Sequence, residues 1–371
     1  MNIKYPLAMP FFGGRELEYI KSCLNSGWIA HGGPFSKKLI REIKSFTGAS
    51  YASLQSSCTA SLHASLLALG IDPGDEIIVA DFTYPATGHA VRMCGAEPVF
   101  VDVAEDTYNI NPASIKSALT EKTKGIIPVH LFGAPCEIKD IVTIAKKNDL
   151  RVIEDCACAF GASVDGRHVG TFGDVGLFSL HARKGITTGE GGFSICDDSI
   201  LSERIESYSM FGINKVIENG LLKCKFTKLG FNYKFSDLQA AAGLAQIEKV
   251  RDYIEKRRLL ANYYLNVLDD IDGLQLPCPA SGHVWQSFVV RVDTNINRDK
   301  LILNLLKVGV QTQIGTYASH LEPVYESNQT CPISANLFRK TLALPFYFGL
   351  QTKDIDEICS ILKNCIARSK C

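Results

Sequence analysis

Long apolar runs are missing from this chain of 371 residues. No stretch approaches the roughly 18 apolar residues that a membrane-spanning helix requires. The first residues, MNIKYPLAMPFFGGRELEYI, also lack the uninterrupted apolar segment of a secretory signal. We therefore expect a protein that neither spans a membrane nor is exported, and we predict a cytoplasmic location.

An excess of charge of either sign is also missing, because Lys and Arg together number 39 and Asp and Glu together number 39. A balanced charge gives no reason to expect nucleic acid or an anionic membrane as a general partner. The hydrophobic share of 46% and the charged share of 21% are typical of globular proteins. The composition therefore excludes a disordered chain.

The 13 cysteines lack the spacing of a metal site or of a disulfide framework. No CxxC pair occurs, and the closest two cysteines, Cys156 and Cys158, alternate along the end of a predicted strand. We expect reduced thiols in small apolar sites and no bound metal.

Internal repeats, low-complexity tracts and Pro/Gly linkers are absent as well. Single hydrophobic cores stop growing at roughly 250–300 residues, so a chain of this length is expected to form two lobes. We place a large lobe at residues 1–248 and a smaller one at residues 249–371.

Short strand patterns alternate with amphipathic helical patterns between residues 50 and 200. This rhythm predicts an α/β fold with three layers, in which helices cover both faces of a mostly parallel sheet. The predicted strands are 76–80, 97–103, 125–132, 151–155, 174–180 and 191–197.

The pattern changes after residue 235, where a helical run over 235–268 predicts one long helix that connects the lobes. The remaining chain predicts a small α+β unit that could close over a site. Its parts are a strand at 284–292, a helix near 299–309, an irregular stretch at 311–333 and a last helix at 352–369.

Ligands of open α/β sheets bind beyond the carboxyl ends of the strands, and four segments place polar or reactive residues there. In the first, Ser56, Ser57, Cys58 and Thr59 precede an apolar helix that ends at Gly70. The free N–H groups and the dipole of such a helix favour a phosphate. Alternatively, Ser57 or Thr59 is only a helix N-cap.

The second and third segments each supply one side chain. Tyr84 follows the strand 76–80 and could stack on a planar heterocycle, or simply pack against the protein. Asp155 ends the apolar strand 151–155, and a carboxylate there requires a partner. That partner is a ring nitrogen that must stay protonated, a helix N-terminus or an internal ion pair.

The fourth segment places Lys184 in a loop of small residues after the strand 174–180. A partly desolvated amine near other positive groups is expected to have a lowered pKa and to form a Schiff base. A lone lysine before glycine is, however, usually solvated. Together, a phosphate cradle, a stacking aromatic ring, an anion for a ring nitrogen and an amine describe a site for pyridoxal phosphate (PLP).

Two segments resemble the DegT/StrS family of sugar-nucleotide aminotransferases, which have the aspartate-aminotransferase fold. The segment FSLHARKGITTGEGG at 178–192 is similar to the family's lysine motif, so the resemblance places Lys184 at the Schiff-base position and Ser179 at the cofactor phosphate. IEDCACAFGA resembles the motif in which the aspartate, here Asp155, pairs with the pyridine nitrogen. Cys158 stands where the family usually has Gln or His near a cofactor oxygen.

Three further segments extend the resemblance over nearly the whole chain. SSCTASLHASLLALGI is similar to the family's phosphate-binding segment and implies cofactor contacts from Ser57, Cys58 and Thr59, with Ser-Cys in place of Asn-Gly. A positive φ at Cys58 would then cause backbone strain. DFTYPAT matches the loop with the stacking aromatic, here Tyr84. In the third segment, GFNYKFSDLQAAAGLAQIEKV, Asn232 falls on the residue that reaches the neighbouring subunit's cofactor phosphate, which implies a homodimer with shared active sites.

The resemblance implies a PLP enzyme that moves an amino group from glutamate or glutamine to a nucleotide-linked keto-sugar, most often at C4 of a 4-keto-6-deoxy sugar. His181, Tyr317 and His320 are the expected substrate contacts. The alternatives are amination at C3, a sugar dehydratase of the same fold and a non-catalytic sensor. The dehydratases carry His where this chain has Lys184.

Overall fold

The computed structural model describes residues 3–218 and 221–370. Its helices are α1 (Glu16–Ser26), α2 (Pro34–Thr47), α3 (Cys58–Ala68), α4 (Ala86–Met93), α5 (Pro112–Ser117), α6 (Ile138–Lys147), α7 (Ser199–Ser209), α8 (Asp237–Ile247), α9 (Val250–Leu268), α10 (Arg298–Lys307), α11 (Pro332–Lys340) and α12 (Thr352–Ala367). Short 3₁₀ turns lie at Leu131–Gly133, Ser319–Leu321 and Pro323–Tyr325.

The described strands include six that are only two residues long. They are β1 (Tyr51–Gln55), β2 (Glu76–Ala80), β3 (Phe82–Thr83), β4 (Glu97–Val101), β5 (Thr123–Ile127), β6 (Arg151–Asp155), β7 (Ser163–Val164), β8 (Arg167–His168), β9 (Val175–Ser179), β10 (Gly192–Cys196), β11 (Ile213–Glu218), β12 (Leu221–Phe226), β13 (Leu274–Gln275), β14 (Phe288–Val292), β15 (Gln313–Ile314), β16 (Tyr317–Ala318) and β17 (Thr341–Leu344).

A seven-stranded sheet in the order β1-β10-β9-β6-β5-β2-β4 forms the centre of the large lobe. The strands β9, β6, β5, β2 and β4 are parallel neighbours. Within this sheet, β10 runs antiparallel to both β1 and β9. The predicted mostly parallel α/β sheet is confirmed.

Helices cover both faces of this sheet, because successive side chains of a strand point to opposite faces. Leu177 of β9 packs in a cluster with Leu62 of α3. The next residue, Phe178, packs in a different cluster with Leu39 of α2 and Ala240 of α8. The large lobe therefore has three layers.

The direction of the strands brings several chain ends to one edge of the sheet. Asp81 follows β2, Asp155 ends β6 and Ser179 ends β9. Because β1 is antiparallel to β10, it runs in the same direction as β9, and α3 begins three residues after it. These segments meet where ligands of α/β sheets bind.

The smaller lobe has an antiparallel sheet in the order β13-β14-β17-β15. Its core contains Tyr264 of α9, Phe288 of β14 and Leu362 of α12. Tyr5 near the N-terminus belongs to the same core and pairs with Val310. The N-terminal segment thus completes a lobe built mainly from C-terminal residues.

The division at residues 248 and 249 remains a prediction. Val250 belongs to the cluster of the large sheet, whereas Leu260 belongs to the cluster of the smaller lobe. Both residues are part of α9, so this helix packs against one lobe with its first turns and against the other with its later turns.

The single long helix predicted at 235–268 is wrong, because the run is divided into α8 and α9. The break falls at Glu248 and Lys249, where Lys249 has φ −110° and ψ 5°. Gln246 before the break and Lys249 within it both donate hydrogen bonds of 2.6 Å to Glu16 Oε1 of α1. Of the described helices, none is long and apolar enough to cross a membrane.

Candidate active site

The N-terminus of α3 lies at the edge of the sheet where the polar segments meet. Ser57 has an extended backbone and its Oγ accepts a hydrogen bond of 3.0 Å from the N–H of Ala60, so it is the N-cap. Cys58 is the first residue of the helix, and Thr59 is half-buried beside it. Ser57 therefore acts as the N-cap of α3, which was the alternative role expected for it. The contact of Ser57 with a phosphate remains a prediction.

Cys58 stands where the resemblance expects a glycine. Its φ angle is not positive. The predicted strain at Cys58 is thus absent, because the residue has entered the helix. The close backbone approach comes from the opposite strand, where a Cβ on Gly192 would lie 2.4 Å from the Cys58 nitrogen. Gly192 therefore lets β10 lie directly against the start of α3.

Asp155 lies at the end of β6 with only 5% of its surface exposed. Its Oδ2 accepts a hydrogen bond of 2.8 Å from the Thr87 hydroxyl, and its Oδ1 accepts one of 3.0 Å from the N–H of Ala157. No ion pair of Asp155 occurs among the described residues. A buried carboxylate held by two neutral donors can still bind a cation such as a protonated ring nitrogen.

The neighbouring Glu154 is fully buried and faces the opposite direction. It accepts hydrogen bonds from the backbone N–H groups of Gly170, Phe172 and Gly173, and His130 Nε2 lies 3.1 Å from its Oε2. Both carboxylate oxygens of Glu154 are therefore used, mainly in holding the loop before β9. Adjacent carboxylates of one strand thus have different tasks, one structural and one directed at the site.

The side chain of Lys184 lies in the tight loop between β9 and β10. Backbone hydrogen bonds from Leu180 to Gly191 and from Ala182 to Gly189, both 2.9 Å, close this loop. The Nζ of Lys184 lies 3.1 Å from Cys158 Sγ. The two residues that the resemblance places around one cofactor are thus in direct contact.

The expectation of a lowered pKa for Lys184 is wrong. Burial lowers the pKa of this amine, but the hydrogen-bonded sulfur of Cys158 and the nearby Cys58 and Asp155 raise it more, so its pKa is raised. Positive neighbours were expected from the sequence, but the main neighbours that act on this amine are groups that favour its ammonium form.

The other thiols around Lys184 stay protonated at neutral pH. Burial raises the pKa of Cys58 well above its ordinary value and raises the pKa of Cys156 to about 12. Both are buried, whereas Cys158 is half-buried. These thiols fill small spaces, as expected from the composition.

Tyr84 projects from the loop after β3 and leaves 66% of its surface exposed. Its ring meets that of Tyr317 edge to face with centroids 6.1 Å apart. The two rings come from different lobes, joined where β16 pairs with β3. They form an aromatic pair where the lobes meet, and the exposed ring of Tyr84 is free to cover a planar ligand.

His320 is held by the large lobe through Asp81. The backbone N–H of His320 donates a 2.7 Å hydrogen bond to Asp81 Oδ1, and His320 Nδ1 lies 2.7 Å from Asp81 Oδ2. His181 is partly exposed, with its Nε2 3.7 Å from Glu190 Oε1. Only Nε2 of His320 remains to meet a ligand, and the role of both histidines in substrate binding remains a prediction.

Asn232 lies exposed on the surface beside the hairpin of β11 and β12, where it pairs with Met210 through the backbone. The structure does not bring it to Lys184 of the same chain by any described hydrogen bond. Its predicted contact across a subunit interface remains a prediction.

Sequence reasoning missed two residues of the site. Thr87 is 1% exposed and orients Asp155, yet nothing in the segment DFTYPAT distinguishes this threonine from an ordinary residue of α4. Arg257 of α9 lines the same cavity as Lys184, Cys158 and Ser179. Its place in a long charged run, EKRRLL, concealed it as a surface residue.

The arrangement fits a ligand with an anionic end, a basic ring and a carbonyl carbon. The start of α3 offers N–H groups, the buried Asp155 offers a counter-charge and Lys184 offers an amine, within one edge of one sheet. PLP has these three features, so the residues present fit that cofactor.

Comparison with known proteins agrees with this site. The sequence profile of the DegT/DnrJ/EryC1/StrS aminotransferase family matches residues 12–363. The chain is 35% identical over 361 residues to a protein named GDP-perosamine synthase from Escherichia coli O157:H7, an alignment that covers 96% of this chain and 97% of that protein.

Solved structures share the fold. The aminotransferase TlmJ from Streptoalloteichus hindustanus gives a TM-score of 0.92 at 28% identity, covering 98% of this chain and 99% of that one. The putative sugar aminotransferase Spr1654 from Streptococcus pneumoniae, in its PMP-form, gives a TM-score of 0.92 at 25% identity. That comparison covers 99% of this chain and 100% of Spr1654. DesI, in the presence of its TDP-sugar product, gives a TM-score of 0.87 at 30% identity. That comparison covers 95% of this chain and 90% of DesI.

Proposed function

The chain belongs to the DegT/DnrJ/EryC1/StrS aminotransferase family, and on that premise we propose that it transfers an amino group from glutamate or glutamine to a keto-sugar carried on a nucleotide. We propose C4 of a 4-keto-6-deoxy sugar as the acceptor carbon. The observation that carries the proposal is Lys184, whose Nζ lies beside Cys158 near the buried Asp155. The names of GDP-perosamine synthase and of DesI with its TDP-sugar product support a nucleotide-linked sugar.

The cofactor is PLP. The start of α3, with Cys58 and Thr59, and Ser179 would hold its phosphate, Asp155 would face its ring nitrogen, and Tyr84 would cover its ring. When bound, PLP draws electrons from the carbon that carries the transferred nitrogen.

Lys184 has two tasks in this proposal. Its Nζ would hold the cofactor until the amino donor displaces it. The freed amine would move a proton from the donor's α-carbon to the cofactor carbon that bears the transferred nitrogen, and in the second half of the reaction from that carbon to the sugar carbon.

The sugar is expected to enter between the lobes, where Tyr317 meets Tyr84. His181 on the lysine loop and His320 on the other lobe are the proposed contacts. The Asp81 carboxylate fixes the ring of His320 through Nδ1, which leaves Nε2 as the atom that could donate to or accept from a sugar hydroxyl.

A panel of keto-sugars linked to GDP or TDP tests the substrate. The PLP-loaded protein is mixed with glutamate and each sugar, and the products are identified by mass spectrometry and NMR. We expect an amino group at C4 of a 4-keto-6-deoxy sugar. An amino group at C3 would contradict the proposed position but keep the reaction, and no amination of any sugar would overturn the function.

Cys158→Gln is expected to strengthen PLP binding to the apo-protein by about fivefold. A thiol is a weak hydrogen-bond donor, whereas the amide of Gln donates a hydrogen bond of about 1 kcal/mol to a cofactor oxygen. Fluorescence titration of the apo-protein with PLP measures the affinity. Cys158→Ala, which has no donor, is the matched control, and equal affinity of the two variants would show that Cys158 does not face the cofactor.

We propose a homodimer whose interface includes the hairpin of β11 and β12. Ile217 of β11 faces Leu222 of β12 across the hairpin, and Phe226 shares their side of it. These three side chains are 77%, 69% and 69% exposed. A contiguous exposed apolar surface of this kind is typical of a protein interface, and it lies close in sequence to Asn232.

Leu222→Asp combined with Phe226→Asp is expected to convert the dimer into a monomer, because each buried apolar side chain contributes about 2 kcal/mol and a carboxylate there would have to be desolvated. Light scattering after size-exclusion chromatography measures the mass. Lys223→Ala, on the opposite side of β12, is the control and should stay dimeric. A double variant that keeps the dimer mass would place the interface elsewhere.

We propose that the reaction takes place in the cytoplasm. The cysteines of the described residues are free, and most are buried among apolar side chains, a use of cysteine that is typical of reducing compartments.

A further inference from the structure

Arg257 is a buried arginine without a partner. Only 8% of its surface is exposed, although it carries a full positive charge. Its Nε donates no hydrogen bond, and among the described residues its guanidinium has neither a hydrogen bond nor an ion pair. The next residue, Arg258, donates instead to the carbonyl of His283 at 3.1 Å, so the two neighbours on α9 differ.

The guanidinium of Arg257 points to the reaction centre. It lines the cavity that Lys184, Cys158 and Ser179 also line. A Cβ built on Gly185, the residue after Lys184, would lie 3.6 Å from Arg257 Nη1. The other walls are largely apolar, with Phe160, Val250, Ile254 and Val284 among them.

An unpaired charge in such a place is costly for the folded protein. A buried ion normally requires a counter-ion and hydrogen bonds that replace its water. Burial lowers the pKa of Arg257 to about 10, so the group still carries its charge at neutral pH. A ligand that brings a negative charge into the cavity would supply the missing partner.

We propose that Arg257 binds a carboxylate of the amino-acid donor. A guanidinium offers a planar pair of N–H groups that matches a carboxylate through two parallel hydrogen bonds. The donor's carbon must come within reach of Lys184 Nζ, and its carboxylate is attached to that same carbon. The geometry therefore places donor carboxylate and Arg257 in one cavity. This inference rests on the proposed aminotransferase function.

The other anion of the reaction, the cofactor phosphate, suits Arg257 less well. The N-terminus of α3 supplies N–H donors for a phosphate, and neither Cys58 nor Thr59 lines the cavity of Arg257. Of the predicted phosphate contacts, Ser179 alone lines the cavity of Arg257 among the described residues.

Binding of glutarate, a dicarboxylate that cannot react, tests the inference. Isothermal titration calorimetry is carried out on the PLP-loaded wild type, on Arg257→Met, on Arg257→Lys and on Arg258→Met as the matched control. We expect Arg257→Met to weaken glutarate binding by about 10- to 100-fold, which is the loss of a charge-assisted hydrogen-bond pair. Arg257→Lys should lose less, and Arg258→Met should bind like the wild type.

Two further measurements separate the possible outcomes. PLP and inorganic phosphate are titrated into the apo-proteins, and the thermal unfolding of each apo-variant is recorded with and without glutarate. We expect unchanged affinity for PLP and phosphate, and an apo Arg257→Met at least as stable as the wild type, because an uncompensated charge has been removed. Glutarate should stabilise the wild type and Arg258→Met alike, and Arg257→Met much less.

Weakened PLP or phosphate binding with unchanged glutarate binding would show that Arg257 serves the cofactor phosphate and would overturn the inference. A strong loss of thermal stability in Arg257→Met, with glutarate binding intact in Arg257→Lys and Arg258→Met alike, would assign it a structural role and also overturn it. Conversion of the wild-type cofactor by glutamate is checked in parallel, so that failure of the aminotransferase function is recognised separately.

Discussion

Lys184→Ala is expected to lower the rate of amino transfer by about 10⁴-fold or more, because one amine holds the cofactor and moves the proton in both half-reactions. No other lysine among the described residues lines the cavity, so none can take over its role at that place. Lys184→Arg should be as inactive, since a guanidinium stays protonated and cannot act as a base.

Covalent labelling tests directly whether Lys184 is the residue that holds the cofactor. Borohydride reduction of the PLP-loaded wild type, followed by digestion and mass spectrometry, should place the cofactor on the peptide that contains Lys184. Lys146→Ala, an exposed lysine of α6, is the control and should keep both the label and the activity. Attachment of the cofactor to a different lysine, or substantial turnover by Lys184→Ala, would be incompatible with the assignment.

Asp155→Asn is expected to slow both half-reactions by about 100-fold while the fold remains intact. An amide can keep both local contacts, because its oxygen accepts from the N–H of Ala157 and its NH₂ can donate to the Thr87 hydroxyl after that hydroxyl rotates. What the amide removes is the negative charge that keeps a ring nitrogen protonated. Stopped-flow absorbance of the bound cofactor after addition of glutamate measures the rate.

The adjacent variant Glu154→Gln should behave in the opposite way. Glu154 accepts three backbone hydrogen bonds and contacts His130, and an amide can accept from fewer of these donors. Each unsatisfied buried donor costs about 1–3 kcal/mol, so urea unfolding should show a clear loss of stability. If Asp155→Asn lost as much stability as Glu154→Gln, Asp155 would be a structural residue.

The parts of the site that follow strand ends were predictable from the sequence. β2, β6 and β9 are short apolar runs, and a parallel sheet brings their ends together, so Asp155 and Lys184 could be placed at one edge. The helix that starts at Cys58 was predictable for a similar reason, because polar residues stand directly before an apolar run.

Other parts depend on contacts between distant segments, which periodicity does not show. The break between α8 and α9 occurs where two side chains reach Glu16, far away in the sequence. The raised pKa of Lys184 depends on Cys158, a residue that the sequence marked only as unusual. Arg257 looked like a surface arginine, because no local pattern shows which residue of a charged helix faces a cavity.

Nitrogen tracing tests the central claim most directly. The PLP-loaded protein is given glutamate or glutamine labelled with heavy nitrogen at the α-amino group, together with GDP- or TDP-linked 4-keto-6-deoxy sugars. We predict a nucleotide-linked amino sugar that contains the heavy nitrogen, identified by mass spectrometry, and none from Lys184→Ala. A sugar that returns unchanged, or that has lost water without gaining nitrogen, would contradict the claim.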